Sequence, residues 1–271
     1  MAHRSLAIGL NAVDPEGYDG WEGKLGACEQ DADDMFAIAK AQGYDARILK
    51  RAQATSAAVL AELADAARNV QAGEHFFLSY SGHGGQVPDT NGDEPDHYDE
   101  TWCLYDRMLL DDELYALFGR FAPGVRIFLL SDSCHSGSVA RDALRGRSPA
   151  PRGEMLPKWL PLPKAEAIYR NRKDLYDSLQ QLAGPAEQAQ VGASVLLISG
   201  CRDDEVSYDG VVNGAFTTQV LKAWDGGRFK GNHQHFQETV SAGLGGQQHP
   251  QLFLAGTNDP AFEAMRPFAV A

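Results

Sequence analysis

The sequence predicts one α/β domain with a mostly parallel central sheet of about six strands and helices on both faces. Short apolar runs alternate along the chain with segments of helical periodicity, which is the order of parallel strands joined by crossover helices. The chain has 271 residues, of which 44% are hydrophobic and 23% are charged, a composition typical of a soluble globular protein with a full core. Because no shift in composition marks a boundary, we expect residues 1–271 to form a single domain.

The apolar runs define the strands, and the helical periodicity defines the helices. We predict strands at Ser5–Leu10, Tyr44–Lys50, His75–Tyr80, Val125–Ser131, Ser194–Gly200 and Gln251–Leu254. We predict helices at Glu29–Ala41, Ser56–Gln71, Asp112–Phe121, Ala165–Leu182, Ala215–Trp224 and His235–Leu244.

Two longer segments interrupt this alternation. One runs from Gly84 to Leu110 and begins with a polar, acidic stretch, and the other runs from Gly137 to Lys164 and contains four prolines. Each is interpreted as a loop that directly follows a strand. Loops of this length in a compact domain are usually functional or disordered.

The charge and the cysteine content limit the partners and the compartment. The formal net charge is −13, so nucleic acid is not an expected partner, because binding a polyanion requires clustered Lys and Arg. The acidity suits a cationic substrate or a metal cation, or simply keeps the surface soluble. Four widely spaced cysteines predict neither a disulfide framework nor a zinc ribbon. With no apolar stretch near the ~20 residues of a membrane span, we expect a cytoplasmic protein without membrane contact.

Two strand ends carry the residues of a candidate catalytic site. The strand His75–Tyr80 runs into Ser-Gly-His-Gly-Gly, and the strand Val125–Ser131 runs into Asp-Ser-Cys-His-Ser-Gly. Since the carboxyl ends of parallel strands meet at one edge of a sheet, His83 and Cys134 should lie close together. An imidazole that removes the thiol proton makes Cys134 a nucleophile, and the N–H groups of Gly84 and Cys134 are candidates for an oxyanion hole. The alternative is a buried structural thiol and a turn histidine.

A carboxylate beside the nucleophile predicts specificity for a basic side chain. Asp132 lies two positions before Cys134, and residues two apart on an extended strand end share a face. Its carboxylate is therefore placed to pair with an incoming guanidinium.

The motifs Ser81–Gly85, Asp132–Gly137, Ile198–Ser207 and Gly214–Thr217 resemble those of the metacaspases in their prokaryotic form. The resemblance implies a caspase-haemoglobinase fold and a cysteine endopeptidase that cleaves after Arg or Lys through a Cys134/His83 dyad. It divides the chain into a p20-like region 1–140, a basic, proline-containing loop 141–164 and a p10-like region 165–271, without a prodomain. It also implies an S1 pocket, which binds the residue before the scissile bond. Its lining would be Asp132, Asp31, Cys28 and Ser81.

The interpretation of Cys28 and Asp31 stays open at this point, because an acidic helix start that suits the helix dipole explains them equally well. The resemblance further implies activation by calcium, with Asp99, Asp111 and Asp112 as ligands. Arg141 stands where the family has a fourth ligand, with Asp142 as the next carboxylate. Carboxylate oxygens suit Ca²⁺, but Asp111 and Asp112 are also good candidates for helix N-caps.

The basic loop is a candidate for self-processing, as in many metacaspases. An enzyme that cuts after basic residues would find possible sites at Arg145, Arg147, Arg152 and Lys158. The alternative is an ordinary solvated loop. Two other functions remain open: a related peptidase of the gingipain, legumain or CHAT type with a different specificity, and a catalytically silent caspase-like scaffold. We expect peptide or protein substrates and a monomer.

Overall fold

A computed structural model describes residues 3–90, 92, 94, 97–134, 156–184, 190–202, 207–210, 212–246 and 248–270. In chain order, the strands are β1 (Arg4–Gly9), β2 (Asp45–Lys50), β3 (His75–Ser81), β4 (Gly84–Pro88), β5 (Tyr98–Cys103), β6 (Met108–Leu110), β7 (Arg126–Asp132), β8 (Ser194–Ser199) and β9 (Gln251–Gly256). The helices are α1 (Cys28–Ala41), α2 (Ser56–Asn69), α3 (Asp111–Phe118), α4 (Leu162–Asn171), α5 (Lys173–Ala183), α6 (Ala215–Trp224), α7 (His233–Gly243) and α8 (Pro260–Glu263).

The main sheet has six strands in the order β2-β1-β3-β7-β8-β9. The first five strands are parallel, and β9 is antiparallel to β8. The predicted α/β class and the mostly parallel sheet are therefore confirmed. The six predicted strands and five of the six predicted helices also agree with the structure, apart from a few residues at their ends.

Helices cover both faces of this sheet, which explains why its central strand is buried throughout. In β3, Phe76 and Leu78 join a core cluster with residues of α2 and α3. Phe77, which points to the opposite face, joins a second cluster with residues of α1, α6 and α7. Because successive side chains of β3 point to opposite faces of the sheet, this strand contributes to both core clusters. None of the helices among the described residues is long and apolar enough to cross a membrane.

The prediction of a loop from Gly84 to Leu110 is wrong in part. Strands β4, β5 and β6 form a small antiparallel sheet in this segment. Sequence patterns missed β5 because its first inward-facing residues, Asp99 and Thr101, are polar and nevertheless buried. An apolar alternation, the usual signal of a half-buried strand, is therefore absent at its start.

The predicted helix Ala165–Leu182 is in fact two helices, α4 and α5, separated by Arg172 with φ −124° and ψ 31°. The Arg172 guanidinium donates to the carbonyl oxygens of Gly17 (3.3 Å) and Asp106 (3.2 Å). Both helices pack on the small sheet in a third core cluster. A tertiary contact of this kind leaves no signal in local periodicity.

Candidate active site

The two predicted catalytic residues lie at the carboxyl ends of neighbouring strands. Ser81, at the end of β3, pairs in register with Asp132, at the end of β7. His83 and Cys134 each follow two residues later, so the chain carries them past the same edge of the sheet. The Tyr80 hydroxyl lies 2.7 Å from the His83 carbonyl oxygen, which also accepts the N–H of Cys103 at 2.9 Å. These contacts fix the backbone of the histidine.

His83 is a buried, neutral imidazole. Its Nε2 lies 3.0 Å from the carbonyl oxygen of Gly23; since a carbonyl only accepts, Nε2 carries the proton. Nδ1 has no hydrogen-bond partner among the described residues and is the nitrogen available to accept a proton. Burial lowers the pKa of His83 to about 4, although the hydrogen bond to Gly23 opposes this effect.

A loop near the N-terminus supports this imidazole and was missed by sequence reasoning. The ring of Trp21 lies 4.7 Å from that of His83, centroid to centroid. Gly23 has φ +52°, and a Cβ at this position would lie 2.6 Å from the Trp21 ring. The position therefore requires glycine. A single Trp and Gly in an irregular segment form no recognisable motif.

The thiol of Cys134 is completely buried and does not hydrogen-bond His83. It accepts the N–H of Ser207 and lies 3.5 Å from the Ser207 carbonyl oxygen. The sulfur of Cys201 is 3.7 Å away. The nucleophile and the base are thus both present, but the thiol is held by other partners.

The chain itself occupies the site with its own residue Lys158. The Lys158 carbonyl oxygen accepts the N–H groups of Gly84 and Cys134, both at 3.1 Å. These are the two donors that the sequence suggested for an oxyanion hole. Lys158 therefore places its carbonyl group where a scissile carbonyl would lie.

The side chain of Lys158 fills the pocket predicted for a basic residue, and it is completely buried. Its Nζ donates to Asp132 Oδ2 (2.8 Å), Ser81 Oγ (2.9 Å) and Asp31 Oδ2 (3.1 Å). Burial by itself lowers the pKa of this ammonium, but Asp132, Cys28 and Asp31 outweigh it and hold the pKa well above its usual value. Two buried carboxylates thus compensate the charge of the buried ammonium.

The far wall of this pocket comes from the start of α6, on the p10-like side of the chain. Asp31 Oδ1 accepts the backbone N–H of Gly214 at 3.0 Å, and Asp132 Oδ2 accepts the hydroxyl of Thr217 at 3.2 Å. A Cβ on Gly214 would lie 2.5 Å from both Lys158 Nζ and Asp132 Oδ2. The roles of Gly214 and Thr217 were missed, although both belong to one of the motifs that carried the resemblance.

The backbone around Lys158 is paired like that of a bound peptide. On the N-terminal side of the Lys158 carbonyl group, two hydrogen bonds join the chain to residues 207–209. The N–H of Lys158 donates to Ser207 O (2.9 Å), and the N–H of Asp209 donates to Leu156 O (2.7 Å). After it, the N–H of Leu160 donates to Gly84 O (2.7 Å) at the edge of β4. We call Leu156–Leu160 the resident segment. Edge pairing of this type is how extended peptides are commonly bound.

Comparison with known sequences identifies the family. The profile of the caspase domain, Peptidase_C14, matches residues 6–262. The chain belongs to the caspase-domain family of cysteine peptidases.

The relatives of this caspase-domain chain include metacaspases. Metacaspase-1A of Aspergillus oryzae is 26% identical over 283 residues, which cover 88% of this chain and 63% of the relative. Metacaspase-1 of Mycosarcoma maydis is 28% identical over 254 residues, covering 79% and 59%. The chain therefore spans about three fifths of the length of these relatives. The resemblance to metacaspases is confirmed.

A solved structure shares the whole fold. The crystal structure of a protein from Geobacter sulfurreducens is 48% identical, matches 100% of both chains and has a TM-score of 0.92. The fold of this chain is thus shared along its whole length with a solved structure.

Cys28, the remaining residue expected in the pocket, lies at the start of α1 and contacts a different carboxylate. Its sulfur is 3.9 Å from Asp209 Oδ1, and burial raises the pKa of the thiol. Asp209 in turn accepts the N–H groups of Gly26 (2.5 Å) and Ala27 (3.2 Å). Sequence reasoning missed Asp209. It connects residues 207–209, which pair with the resident segment, to the start of α1.

The candidate metal ligands are only partly brought together in this caspase domain. Carboxylate oxygens of Asp111, Glu94 and Glu100 lie within 4.8 Å of one another; the two glutamates were missed by sequence reasoning. Burial and the surrounding acids, first Glu100, raise the pKa of Asp111 well above its usual value. This group lines a cavity of about 530 Å³.

Asp99 and Asp112 are buried close enough to act on Asp111 but are outside this group of three. Neither Asp111 nor Asp112 is the N-cap of α3, a position that Leu110 takes, so the N-capping interpretation is wrong. Asp142 and the possible cleavage sites Arg145, Arg147 and Arg152 lie outside the described residues.

Proposed function

We propose that the protein is a cysteine endopeptidase that cleaves peptide bonds after Lys or Arg. The observation that carries this proposal is the position of Lys158, whose carbonyl oxygen lies between the N–H groups of Gly84 and Cys134 while its ammonium contacts Asp132 and Asp31. A lysine buried in this pocket is the chemistry expected of a residue before the scissile bond. An arginine side chain presents the same charge and donates to two carboxylates.

The catalytic steps follow from the atoms around this carbonyl. His83 Nδ1 takes the proton of Cys134, and the thiolate attacks the carbonyl carbon. The N–H groups of Gly84 and Cys134 stabilise the oxyanion, and the imidazolium then gives its proton to the leaving amine. Water hydrolyses the thioacyl enzyme, with His83 again as the base. For attack, the sulfur has to exchange its contact with Ser207 for one with the substrate carbonyl.

We also propose that the resident segment is a self-cleavage site at the Lys158–Trp159 bond. Of the four basic residues suggested by the sequence, Lys158 lies among the described residues, and its carbonyl group and side chain occupy the site. Its complete burial argues against a solvated loop at this position. Cleavage there would free the two halves of the segment to leave the site.

Calcium is proposed as an activating ion at Asp111, Glu94 and Glu100. The donor set fits, because three carboxylates converge where they line a cavity of about 530 Å³ and a hard cation prefers such oxygens. Bound Ca²⁺ would neutralise their repulsion. Glu100 lies on β5, and the last residue of that strand, Cys103, donates its N–H to the His83 carbonyl. The small sheet thus connects these acids to the catalytic histidine.

The central proposal is tested with fluorogenic peptides that differ only in the residue before the scissile bond: Arg, Lys, Asn or Asp. We expect hydrolysis of the Arg and Lys peptides, loss of all activity in Cys134→Ala, and full activity in Ser178→Ala, which alters an exposed side chain on α5. Hydrolysis after Asn or Asp but not after Arg or Lys would instead identify a related peptidase of different specificity. No hydrolysis of any peptide by a folded protein with a free Cys134 thiol, with and without calcium, would identify a silent scaffold.

Calcium is tested by titrating the hydrolysis of the Arg peptide in wild type and in Asp111→Asn. Because the substitution removes one of three converging carboxylates, we expect half-maximal activation to move to at least tenfold higher calcium. Asp45→Asn, which removes an exposed carboxylate at the start of β2, serves as the control. Superimposable calcium activation curves for wild type and Asp111→Asn would show that calcium does not activate the protein through this site.

A further inference from the structure

The second cysteine beside the nucleophile has no role in the steps above. Cys201 is buried, and its sulfur lies 3.7 Å from that of Cys134 and 3.6 Å from the carbonyl oxygen of Ser133. Neither sulfur takes part in a disulfide among the described residues. Sequence spacing gave no reason to pair them, because 66 residues separate them along the chain.

The strand register explains why they meet. Ser131 of β7 pairs with Ser199 of β8, and the N–H of Gly200 continues the pairing by donating to Ser131 O at 2.8 Å. Cys134 lies three residues after Ser131 and Cys201 lies two residues after Ser199, so both follow the carboxyl ends of these neighbouring strands. The sulfur atoms need to approach by about 1.7 Å to reach the ~2.05 Å of an S–S bond.

We propose that Cys134 and Cys201 form a reversible disulfide that switches the peptidase off and protects its nucleophile from irreversible oxidation. The inference rests on the proposed function in taking Cys134 as the nucleophile. The oxidant is a hydroperoxide. The Cys134 thiolate attacks the peroxide oxygen, the O–O bond breaks, and the products are a sulfenic acid on Cys134 and an alcohol or water.

The second step needs only the neighbouring thiol. Cys201 attacks the Cys134 sulfur, the S–S bond forms, the S–OH bond breaks, and the hydroxyl leaves as water with the Cys201 proton. A dithiol reverses the reaction by exchange. Without Cys201, the sulfenic acid has no nearby thiol and is oxidised further to the sulfinic acid, which dithiols do not reduce.

The resident segment determines when Cys134 is accessible to a hydroperoxide. Cys134 is completely buried while Lys158 occupies the site, and oxidation requires an accessible thiolate. The opening that admits a substrate therefore also admits the oxidant. Removal of the Lys158 side chain, which anchors the segment, should speed disulfide formation.

The test is hydrogen peroxide treatment of the full chain, followed by alkylation of free thiols and peptide mapping by mass spectrometry. We expect a peptide that joins Cys134 to Cys201 in wild type, more rapidly in Lys158→Ala, and its disappearance on addition of dithiothreitol. In Cys201→Ala, we expect Cys134 sulfinic acid that dithiothreitol does not reverse. Cys103→Ala, which removes a buried thiol outside the pair, should give the same joined peptide as wild type.

Recovery of activity separates this inference from the proposed function. Hydrolysis of the Arg peptide should be lost with peroxide and return with dithiothreitol in wild type, but not return in Cys201→Ala. If no peptide is hydrolysed at all, the mapping still decides whether the disulfide forms. The inference is overturned if wild type and Lys158→Ala both accumulate Cys134 sulfinic acid without the joined peptide.

Discussion

At the scale of single residues, the two carboxylates of the pocket have unequal positions. Asp132 Oδ2 lies 2.8 Å from Lys158 Nζ and Asp31 Oδ2 lies 3.1 Å from it. Both carboxylates have further donors: Asp132 accepts the hydroxyls of Thr217 and Ser207, and Asp31 accepts N–H groups of Gly214 and Asn213. Asp132 lies two residues before Cys134 in the sequence. Its charge is therefore the one that most directly fixes a basic side chain at the reacting bond.

We predict that Asp132→Asn lowers kcat/KM for Arg and Lys peptides by on the order of 100-fold or more, because a buried cation loses its closest counter-charge. The measurement is steady-state hydrolysis of both peptides. Asp33→Asn is the matched control, since it removes a carboxylate from α1 that pairs with Lys50 at the surface. Equal losses in the two variants would mean that overall charge, rather than the pocket, governs the rate.

Gly214 sets the depth of the same pocket. A Cβ there would lie 2.5 Å from Lys158 Nζ and from Asp132 Oδ2, both of them fixed by the ion pair. We predict that Gly214→Ala reduces kcat/KM for the Lys peptide by about tenfold or more, mainly through KM, because the methyl group takes space that the ammonium needs.

Gly26→Ala is the control for this substitution. The Cβ at Gly26 would make only ordinary contacts, at 3.6 Å to Asp209 and 3.7 Å to Gly210, so activity should change little. Unchanged kinetics in Gly214→Ala would show that the pocket relaxes around the methyl group.

The sequence led to some residues of the site and not to others for a physical reason. His83, Cys134 and Asp132 are found from strand ends, because a parallel sheet brings such ends to one edge, and Ser81 came from the family resemblance. Ser207, Asp209 and Trp21 belong to irregular segments whose positions depend on tertiary packing. Lys158 was suggested as a cleavage site from its charge alone, and no local pattern placed its side chain between Asp132 and Asp31.

At the scale of elements, the resident segment behaves as a substrate that the chain supplies to itself. It pairs with residues 207–209 on one side and with β4 on the other. The tethered segment is present at a high effective concentration, so it competes with added peptide even if its contacts are modest. The active form should therefore be one in which the segment has been cut or displaced.

We predict that incubation of the purified chain under activating conditions gives a fragment whose first residue is Trp159, because the Lys158–Trp159 bond is the one aligned with Cys134. N-terminal sequencing or mass spectrometry of the fragments is the measurement. Lys158→Ala should abolish this cut, and so should Cys134→Ala. Lys164→Ala is the control, since that lysine lies on α4 with its Nζ near Asp19 O. Persistence of the Trp159 fragment in Lys158→Ala would contradict the prediction.

The elements that sequence patterns missed share a cause. The small sheet β4-β5-β6 buries polar residues such as Asp99 and Thr101, and the break between α4 and α5 depends on contacts of Arg172 with Gly17 and Asp106. Five of the six main strands were predictable because each contains an apolar run between turn residues, whereas the edge strand β2 mixes charged and apolar residues. Periodicity thus reveals elements whose pattern is set by burial of apolar side chains, and not those fixed by polar contacts.

At the scale of the whole molecule, the two ends of the sheet differ in their ionisable groups. The carboxyl end holds the pocket. The opposite end holds three buried histidines: His3 just before β1, His75 at the start of β3 and His233 at the start of α7. His3 Nδ1 accepts the backbone N–H of His75 at 3.0 Å, and the rings of His75 and His233 both contact Phe262. The histidines therefore tie the first strands to the C-terminal helices.

These histidines should make the fold sensitive to mild acid. Burial is the main cause that lowers the pKa of His75 and of His233 to about 4, and it also lowers that of His3. In the unfolded chain, a histidine titrates near 6.5, so below this pH the unfolded state binds protons that the folded state does not. The free energy of unfolding should therefore fall as the pH drops from about 6.5 towards 4. The salt-bridged carboxylates Asp65, Asp177 and Asp259, whose pKa values are lowered, add their effect at lower pH.

We predict that His75→Gln flattens this pH dependence, because one of the groups that takes up a proton on unfolding is removed. Denaturant unfolding at several pH values between 7.5 and 4.5 measures the slope, which is compared between variants rather than the absolute stability. His235→Gln, which removes an exposed histidine from α7, is the control. Since His75 lies at the end of the sheet away from Cys134, the substitution should leave the preference for Arg and Lys peptides intact in whatever fraction remains folded. Parallel curves for wild type and His75→Gln would assign the acid sensitivity to other groups.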